Sequence, residues 1–332
     1  MGKVINVILS GGFGTRLWPL STPQRPKQFL KIFNGKSLFQ HTVERNSGIV
    51  NKNMILTNEA HYKIASTQLG EIGKQFDYKV LEPIPRNTAP AITLAALTVD
   101  REDVLFVTPS DHMIGDDEVY FECVNEAVKL AKKNFLVTFS IKPSFAETGY
   151  GYIEFDGNDV KSFREKPDLR TAKEFLSRGN FYWNSGMFCF KAGVYLDEIK
   201  KHSPEIFQKS VDAYRTGIDE KTMSEIPEDS VDYAVFEKSS IIKTIPSSFS
   251  WSDLGNFDSL VDYFNGNHQV LDNPLNEILG VGVSNCYTLG EKKVVGIGIE
   301  NLLVVEADDT ILLLQKGESQ KVKQVFNECR KD

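Results

Sequence analysis

The amino-acid sequence predicts an α/β protein with a mainly parallel sheet, followed by a small β-rich region. From Val4 to Ser140, short β-branched runs alternate with helical patterns. This alternation is typical of parallel strands joined by right-handed helical crossovers. After about Asn265 the pattern changes to short, closely spaced strands with almost no helix between them. We therefore predict a large domain over residues 1–265 and a small C-terminal domain over residues 266–332.

The predicted strands are short apolar runs bounded by polar or glycine-rich residues. In the large domain they are Val4–Leu9, Met54–Thr57, Lys79–Leu81, Val104–Thr108, Phe135–Ser140, Gly151–Phe155, Gly186–Phe190 and Ile241–Ile245. The C-terminal strands are Gly280–Ser284, Lys293–Ile299, Asn301–Glu306 and Thr310–Leu314, and a polar helix over Glu318–Cys329 follows them.

Two helices of the large domain have clear start signals. Ser37 and Gln40 are three residues apart, which is the spacing of a capping box. A second helix begins at Asp116 or Asp117, and its apolar face is predicted from the spacing of Phe121, Val124, Val128 and Ala131.

Composition excludes several classes of function. The 332-residue chain carries a net charge of −7 and has no cluster of Lys and Arg, so we expect no nucleic-acid partner. No apolar run is long enough to cross a bilayer, which predicts no membrane association. The four cysteines are widely spaced, so a zinc site or a disulfide framework is not indicated. With no visible signal peptide, these features predict a cytoplasmic protein.

The segment Ser10–Arg16 is the strongest indication of function. It follows a predicted strand, and its three glycines allow backbone amides to approach a ligand closely. A Walker A loop is excluded because no Gly-Lys-Ser/Thr ending is present. A dinucleotide fingerprint is excluded because Leu17 stands where its third glycine would be. A purely structural turn is the alternative, but the basic residues Arg16 and Lys27 favour a phosphate ligand.

Nine segments together resemble the sugar-nucleotide pyrophosphorylases, and specifically the mannose-1-phosphate guanylyltransferase family. They are Gly11–Pro19, Pro26–Phe29, Glu82–Pro83, Arg86–Ala91, Thr108–His112, Phe163–Pro167, Trp183–Phe188, Asp232–Glu237 and Trp251–Gly255. The resemblance covers nearly the whole chain. It implies a Rossmann-like nucleotidyltransferase domain of the glycosyltransferase-A type, a short left-handed β-helix at the C-terminus, and a homodimer.

The resemblance also implies a reaction. GTP and α-D-mannose 1-phosphate would yield GDP-mannose and pyrophosphate, as a sugar phosphate oxygen attacks the α-phosphorus. Both reactants are anions, so positioning and charge neutralisation are expected to dominate catalysis. Arg16 and Lys27 are the expected catalytic cations. His112 is not expected to act as a general base, because the phosphate nucleophile is already ionised.

The family's other site residues are carried over segment by segment. Asp111 and Asp253 are the expected Mg²⁺ ligands, although each alone could be a helix cap or turn residue. The expected nucleotide-binding residues are Leu9, Ser10, Gly11, Gly12, Gly14, Thr15, Glu82, Arg86, Asn87, Thr88 and Ser110. Among these, Glu82 would recognise guanine, whereas Asn87 or Thr88 could simply cap a helix.

For the sugar phosphate, the resemblance implies Gly149, Tyr150, Glu165, Lys166 and Asn184. Glu165 would accept hydrogen bonds from sugar hydroxyls, and Lys166 would neutralise the phosphate. Taken alone, Glu165-Lys166-Pro167 would be an exposed charged turn. The alternative functions are the same reaction on another hexose or a manno-heptose 1-phosphate, and a nucleotide-sugar-binding regulatory homologue without turnover. A nicotinamide-dependent oxidoreductase is disfavoured by the failed fingerprint.

Overall fold

The computed structural model describes residues 2–266 and 273–329. Residues 1, 267–272 and 330–332 of the two predicted domains lie outside the described residues. The chain forms two compact units: the first comprises Met1–Gly11, Glu44–Pro109 and Ile114–Trp251, and the second comprises Gly12–Val43, Ser110–Met113 and Ser252–Asp332. The second unit thus combines the glycine-rich segment with the C-terminal region. A boundary at residues 265/266 stays a prediction.

The strands and helices follow the predicted alternation. The strands up to residue 252 are β1 (Val4–Leu9), β2 (Lys52–Thr57), β3 (Tyr78–Leu81), β4 (Val104–Pro109), β5 (Met113–Ile114), β6 (Leu136–Ile141), β7 (Tyr152–Asp156), β8 (Asp159–Arg164), β9 (Phe181–Lys191), β10 (Ile242–Ser247) and β11 (Trp251–Ser252). The helices are α1 (Leu38–Asn46), α2 (Glu59–Glu71), α3 (Thr88–Leu97), α4 (Asp117–Lys132), α5 (Leu169–Arg178), α6 (Ala192–His202), α7 (Pro204–Thr216), α8 (Glu220–Ser224), α9 (Phe257–Gly266) and α10 (Val322–Cys329).

The large sheet is mixed, so the prediction of a mainly parallel sheet is wrong. Within the described residues it has nine strands in the order β3-β2-β1-β4-β9-β6-β10-β8-β7. The β3-β2-β1-β4 half is parallel, as is β6 with β10. Strand β9 runs antiparallel to β4, β6 and β7, and β8 runs antiparallel to β7 and β10. The region from 151 to 191 folds as antiparallel strands that enter the sheet, which short-range alternation does not reveal.

Side chains on the two faces of this sheet build two separate cores. Ile5 and Leu105 contribute to one core together with residues of α3 and α6. Val104 and Phe106 contribute to the other, together with residues of α4. Successive residues of a strand point to opposite faces, so helices cover both sides of the sheet.

Buried polar side chains join β1 to α1 and α4. Asn6, in the interior of β1, accepts from Asn46 at 2.9 Å and from the Thr108 hydroxyl at 3.2 Å. The Tyr120 hydroxyl donates to Asn46 at 2.7 Å. The predicted apolar face of α4 is confirmed at Val124, Val128 and Ala131, which are buried, but Tyr120 takes the place of Phe121, which is only partly buried.

Both predicted helices begin where expected, but only the first has the predicted side-chain cap. The capping box is confirmed, because the Gln40 amide donates to the Ser37 hydroxyl at 3.2 Å and the Ser37 amide donates to Gln40 Oε1 at 3.0 Å. Asp116 precedes α4, but its carboxylate makes no capping hydrogen bond and instead accepts from the Ser250 amide at 3.0 Å.

The C-terminal strands belong to the second unit. They are β12 (Leu275–Glu277), β13 (Leu279–Val281), β14 (Tyr287–Leu289), β15 (Val295–Ile297), β16 (Leu302–Ala307) and β17 (Thr310–Gln315). Strands β12, β14, β16 and β17 form one sheet, and β13 pairs with β15 in another. Their buried residues share a core with Leu17, Phe33 and α9. Among the described residues, no helix is both long and apolar enough to cross a lipid bilayer.

Candidate active site

The chain leaves strand β1 into a turn rich in glycine. The Ser10 amide donates to the Leu56 carbonyl at 2.9 Å, and the Ser10 carbonyl accepts from the Thr57 hydroxyl at 2.8 Å. A Cβ atom at Gly11 or Gly12 would meet no described atom within 4 Å, so packing does not require glycine there. Small exposed residues after a fixed strand end leave the backbone amides accessible to an anion.

Gly14 packs directly against Lys27. Its φ is 66°, and an added Cβ would lie 2.4 Å from the Lys27 Cβ, so both conformation and space require glycine. The Ser21 hydroxyl donates to the Gly14 carbonyl at 2.5 Å, and Gln28 Nε2 donates to the Gly12 carbonyl at 3.0 Å. The segment that carries Lys27 therefore also holds the shape of the glycine loop.

One turn of 3₁₀ helix, Thr15–Leu17, follows Gly14. Leu17 is buried, whereas Arg16 is exposed and forms no ion pair with the part of the chain that the structure describes. The next residue, Trp18, lies with its ring 6.4 Å from the ring of Phe326 in helix α10. The backbone of this turn is thus anchored by packing, while the Arg16 guanidinium can reach an anionic ligand.

Lys27 places a buried positive charge between two aspartates. Only 4% of Lys27 is exposed, and its Nζ lies 2.8 Å from Asp111 Oδ2 and donates to the Asp253 carbonyl oxygen at 2.6 Å. Burial favours a raised pKa for the Asp111 carboxyl, but the Lys27 ammonium and the nearby His112 outweigh it and hold the pKa below its usual value. Asp111 is therefore an anion at neutral pH.

The Asp253 carboxylate is held by its own turn, since Oδ1 accepts from the Gly255 amide at 3.0 Å. Leu254, between them, has a φ of 43°, an unusual conformation for a residue with a branched side chain. No group of three or more His, Cys, Asp or Glu side chains that could hold a metal occurs within residues 2–266 and 273–329. Mg²⁺ commonly binds only one or two carboxylates of a protein when substrate phosphates supply further ligands. Asp111 and Asp253 together provide two.

Two further predicted residues lie at the carboxyl ends of neighbouring parallel strands. Leu9 ends β1 and is paired with Pro109, which ends β4. Ser110 follows Pro109 and is buried directly before Asp111. Leu9 and Ser110 thus lie at the sheet edge where ligands of such sheets commonly bind, and their role in nucleotide binding stays a prediction.

Glu82 is a buried carboxyl at the end of β3. Its amide donates to the Thr57 carbonyl at 2.8 Å, whereas its Oε1 has no hydrogen-bond partner among the described residues. Burial raises the pKa of Glu82 to about 7. An unpaired buried acceptor is costly, and it is typical of a side chain whose partner is a ligand.

The other three residues of this segment have partners within the protein. Asn87 Oδ1 accepts from the Thr88 amide at 2.8 Å at the start of α3, so Asn87 occupies the helix cap. Arg86 Nε donates to the Ile226 carbonyl at 2.7 Å, and the Thr88 hydroxyl accepts from the Val231 amide at 2.9 Å. Of these four residues, Glu82 is therefore the one whose carboxyl oxygen, Oε1, is left to accept a hydrogen bond from a nucleotide base.

The segment predicted for the sugar begins with Gly149 and Tyr150. The Gly149 amide donates to Glu147 Oε1 at 2.7 Å. The Tyr150 ring makes edge contacts with the rings of Trp183 and Trp251, each at 5.3 Å between centroids. These two residues thus connect a polar turn to an aromatic cluster.

Glu165 and Asn184, predicted together, lie together. Asn184 Nδ2 lies 3.4 Å from Glu165 Oε1. Burial and the neighbouring Asp232 carboxylate raise the pKa of Glu165 to about 7, although the Lys166 ammonium acts in the opposite direction. Lys166 has a φ of 44°, which marks a strained turn rather than a loose charged loop.

Two acidic residues of this group, Asp232 and Glu237, were not among the predicted site residues. Asp232 Oδ1 accepts from Asn184 Nδ2 at 2.9 Å, and Glu237 Oε1 accepts from the Glu165 amide at 3.1 Å. A Cβ at Gly151 would lie 2.0 Å from Glu165 Oε1, so any other residue there would displace the Glu165 carboxylate. The acidic Asp232 within an otherwise apolar run was the available sequence signal for this role.

Comparison with known proteins identifies the family. Residues 5–270 match the family model described as nucleotidyl transferase. A mannose-1-phosphate guanylyltransferase from Salmonella muenchen is 39% identical, and the alignment covers 98% of this chain and 73% of the relative. The xanthan biosynthesis protein XanB from Xanthomonas campestris pv. campestris is 38% identical over 99% of this chain and 74% of its own length.

The chain belongs to the mannose-1-phosphate guanylyltransferase family of nucleotidyl transferases. A solved structure from Thermus thermophilus, described as a mannose-1-phosphate geranyltransferase, has a TM-score of 0.84 to this chain at 28% identity, with 99% of each chain covered. This guanylyltransferase-family chain is accordingly an enzyme with a nucleotidyltransferase fold and mixed sheets.

In this guanylyltransferase-family protein, Glu82→Gln is expected to increase stability at pH 8 by about 1–3 kcal/mol and to have little effect near pH 4.5. In the folded protein the pKa of Glu82 is about 7, whereas the ordinary pKa of a glutamate, expected in the unfolded chain, is 4.5. The native state therefore binds more protons between these values, and stability falls as the pH rises through them. Urea unfolding at both pH values measures the difference. The exposed Glu228→Gln is the control, and an equal effect of Glu82→Gln at both pH values would contradict the prediction.

Proposed function

We propose that this protein joins GTP to α-D-mannose 1-phosphate, forming GDP-mannose and pyrophosphate. The observation that carries the proposal is the buried Lys27 ammonium beside Asp111 and the glycine loop, a cation placed for phosphate chemistry. The named activity of the Salmonella relative supports the choice of substrates.

The reaction transfers a nucleotidyl group between two anions. A sugar phosphate oxygen attacks the α-phosphorus, a new P–O bond forms in line, and the bond to the pyrophosphate leaving group breaks. Arg16 would bind the outer phosphates and the leaving group, with Gly11, Gly12 and Gly14 supplying backbone amides. Lys27 would stabilise the charge that develops on the transferred phosphoryl group.

A divalent metal suits the two aspartates beside Lys27. Asp111 and Asp253 would hold Mg²⁺, and their oxygen donors match that ion's preference. When bound, the metal would neutralise charge on the phosphate oxygens. The pairing of Asp111 with Lys27 keeps the carboxylate ionised, which is the form a metal requires.

Base and sugar recognition are assigned to residues of the first unit. Glu82 would accept hydrogen bonds from guanine N1–H and the exocyclic amine, which would satisfy its unpaired Oε1. Glu165 would accept from sugar hydroxyls, Asn184 would complete the sugar site beside it, and Lys166 would pair with the sugar phosphate. The same side chains would also serve another hexose or a manno-heptose, so the assay below includes them.

The C-terminal strands are proposed to form a short left-handed β-helix. Three parallel pairings share one offset of 16 residues: Leu279 with Val295, Ser284 with Glu300, and Tyr287 with Leu303. Asn285 and Asn301, also 16 residues apart, form a side-chain hydrogen bond at 2.5 Å. A constant offset along the chain is the pattern of stacked coils, in which each turn pairs with the next.

One face of this region supports a homodimer. Leu279, Val281, Val295 and Ile297 are each between 63% and 81% exposed, and β13 and β15 pair them side by side. Soluble monomers rarely leave such aliphatic clusters in water. In a two-fold dimer this face would pack against the same face of a second copy of the chain, which is the usual geometry of such dimers.

The substrate assignment is tested by pyrophosphate release over a grid of four nucleoside triphosphates and several sugar 1-phosphates with Mg²⁺. The GTP and mannose 1-phosphate combination is expected to be the fastest. A response from another sugar phosphate alone would contradict the substrate assignment. If no combination released pyrophosphate, the result would favour a regulatory homologue without turnover.

Lys27→Ala is expected to lower turnover by about 100-fold or more, as for the loss of a transition-state charge contact, with a much smaller effect on GTP affinity. Steady-state kinetics and calorimetric GTP binding measure the two effects separately. The exposed Lys323→Ala is the matched control, and circular dichroism checks the fold. Unchanged turnover in a folded Lys27→Ala protein would remove Lys27 from the mechanism.

The dimer is tested by the double substitution Val281→Glu and Ile297→Lys. Charges on this face should convert a dimer into a monomer, as read by light scattering after gel filtration. Val325→Lys on helix α10 is the matched control at an exposed apolar residue. A wild-type monomer, or a double variant that stays dimeric, would argue against this interface.

A further inference from the structure

Asp232 is an acidic residue in an apolar setting that the mechanism above does not use. It begins a short π-helix, Asp232–Phe236, whose Ala234, Val235 and Phe236 are fully buried. π-helical turns are rare and occur frequently at functional sites. The Asp232 carboxylate accepts a hydrogen bond from Asn184, one of the residues assigned to the sugar.

The Asn184 amide is held from both sides. Its Oδ1 accepts from the Thr138 hydroxyl and from the Gly186 amide, both at 3.2 Å. Its Nδ2 lies 2.9 Å from Asp232 and 3.4 Å from Glu165. These four contacts determine which way the amide faces, because its oxygen meets only donors and its nitrogen meets only acceptors.

The Glu165 carboxylate packs closely against the backbone of Gly151. Its Oε1 atom lies only 2.0 Å from the position that a Cβ atom of residue 151 would take. The backbone N–H of Asn184 donates to the Gly151 carbonyl at 2.8 Å. The backbone before Lys166 is fixed by Glu237, which accepts from the Glu165 amide at 3.1 Å. Glu165 and Asn184 therefore both pack against the backbone at Gly151 as well as contacting each other.

The segment that carries Asp232 is itself anchored to the base-binding segment. The Val231 amide donates to the Thr88 hydroxyl at 2.9 Å, and the Ala89 amide donates to the Asp229 carbonyl at 3.1 Å. Asp232 is thus presented to Asn184 by a rigid turn rather than by a free loop.

We propose that Asp232 is a positioning residue for the sugar 1-phosphate: it fixes the Asn184 amide and places a negative charge close to the Glu165 carboxylate, which shares that amide. The name of the ligand rests on the proposed function. The assignment of Asp232 rests on its contacts with Asn184 and on the proximity of Glu165.

The charged neighbours determine the sign of the pH effect. Burial and Asp232 raise the pKa of Glu165, Lys166 lowers it, and Glu237 raises it further. Burial raises the pKa of Asp232 to about 6, against hydrogen bonds from Asn184 and Ser230 and the charge of Lys166. Burial raises the pKa of Tyr233, as do the carboxylates Glu165, Glu237 and Asp232, so Tyr233 remains neutral over the relevant range. Removing the charge of Asp232 therefore lowers the pKa of Glu165, so Glu165 ionises at a lower pH.

Two substitutions separate position from charge. Asp232→Asn keeps an acceptor for Asn184 but removes the charge, whereas Asp232→Ala removes both. At pH 8, Asp232→Ala should raise the KM for mannose 1-phosphate about tenfold, the effect of losing one charge-assisted hydrogen bond, while the KM for GTP stays within about twofold. Asp232→Asn should retain a KM near that of the wild type.

The charge effect is measured by calorimetric binding of GDP-mannose between pH 5 and 8, since its diphosphate diester does not titrate there. Binding should strengthen as Glu165 ionises, and the midpoint should move to lower pH in Asp232→Asn. The exposed Glu228→Gln is the control and should keep the wild-type midpoint. If Asp232→Ala does not fold, the Asp232→Asn midpoint alone decides.

The proposal is overturned if Asp232→Ala leaves the KM for the sugar phosphate unchanged, or if Asp232→Asn leaves the midpoint unchanged. It is also overturned if both KM values rise equally in Asp232→Ala, which would indicate a merely structural role. A wild-type protein inactive on mannose 1-phosphate contradicts the proposed function instead. The same comparison is then made with the sugar phosphate that the grid assay selects and its nucleotide sugar.

Discussion

The ion pair between Lys27 and Asp111 is the interaction on which the functional arrangement of the second unit depends. A buried ammonium is stable only when its charge is compensated, and here a carboxylate and the Asp253 carbonyl do so at 2.8 and 2.6 Å. The same side chain leaves no room for a Cβ at Gly14, so the path of the glycine loop is coupled to the position of the charge. Replacing either Gly14 or Asp111 would therefore disturb the position of the Lys27 ammonium.

The first unit has the opposite electrostatic problem, an excess of buried negative charge. Burial raises the pKa of Glu82 and of Glu165 to about 7, and that of Asp232 to about 6. Each of these raised pKa values makes the free protein less stable at neutral pH than in acid, because the folded state binds protons that the unfolded chain has released. Residues that reduce stability in this way are typical of sites selected for ligand binding, where the donors of the ligand supply the missing hydrogen bonds.

Local signals in the sequence predicted local structure well. Strand β1 and the capping box of Ser37 and Gln40 depend on neighbouring residues, and both are confirmed. Asp116 was expected to cap α4, but its carboxylate bonds to Ser250, which is distant in sequence and outside the reach of a local pattern. The grouping of Glu165 with Asn184 came from resemblance to a family, because nothing in their 19-residue separation indicates contact.

The error in sheet topology also comes from contacts between residues distant in sequence, and it concerns the residues proposed to bind the sugar. Strand β9 is antiparallel to β6, and the register shifts between Thr138 and Ser140, where Gly186 has a φ of 72°. Such a bulge redirects side chains next to functional sites. Here it allows Thr138 and the Gly186 amide to donate to one end of the Asn184 side chain while the other end meets Asp232 and Glu165. A uniformly parallel sheet would contain no such irregular antiparallel pair. Strand β9 was predicted in part, as Gly186–Phe190, but its antiparallel direction was not, and this direction is what orients Asn184.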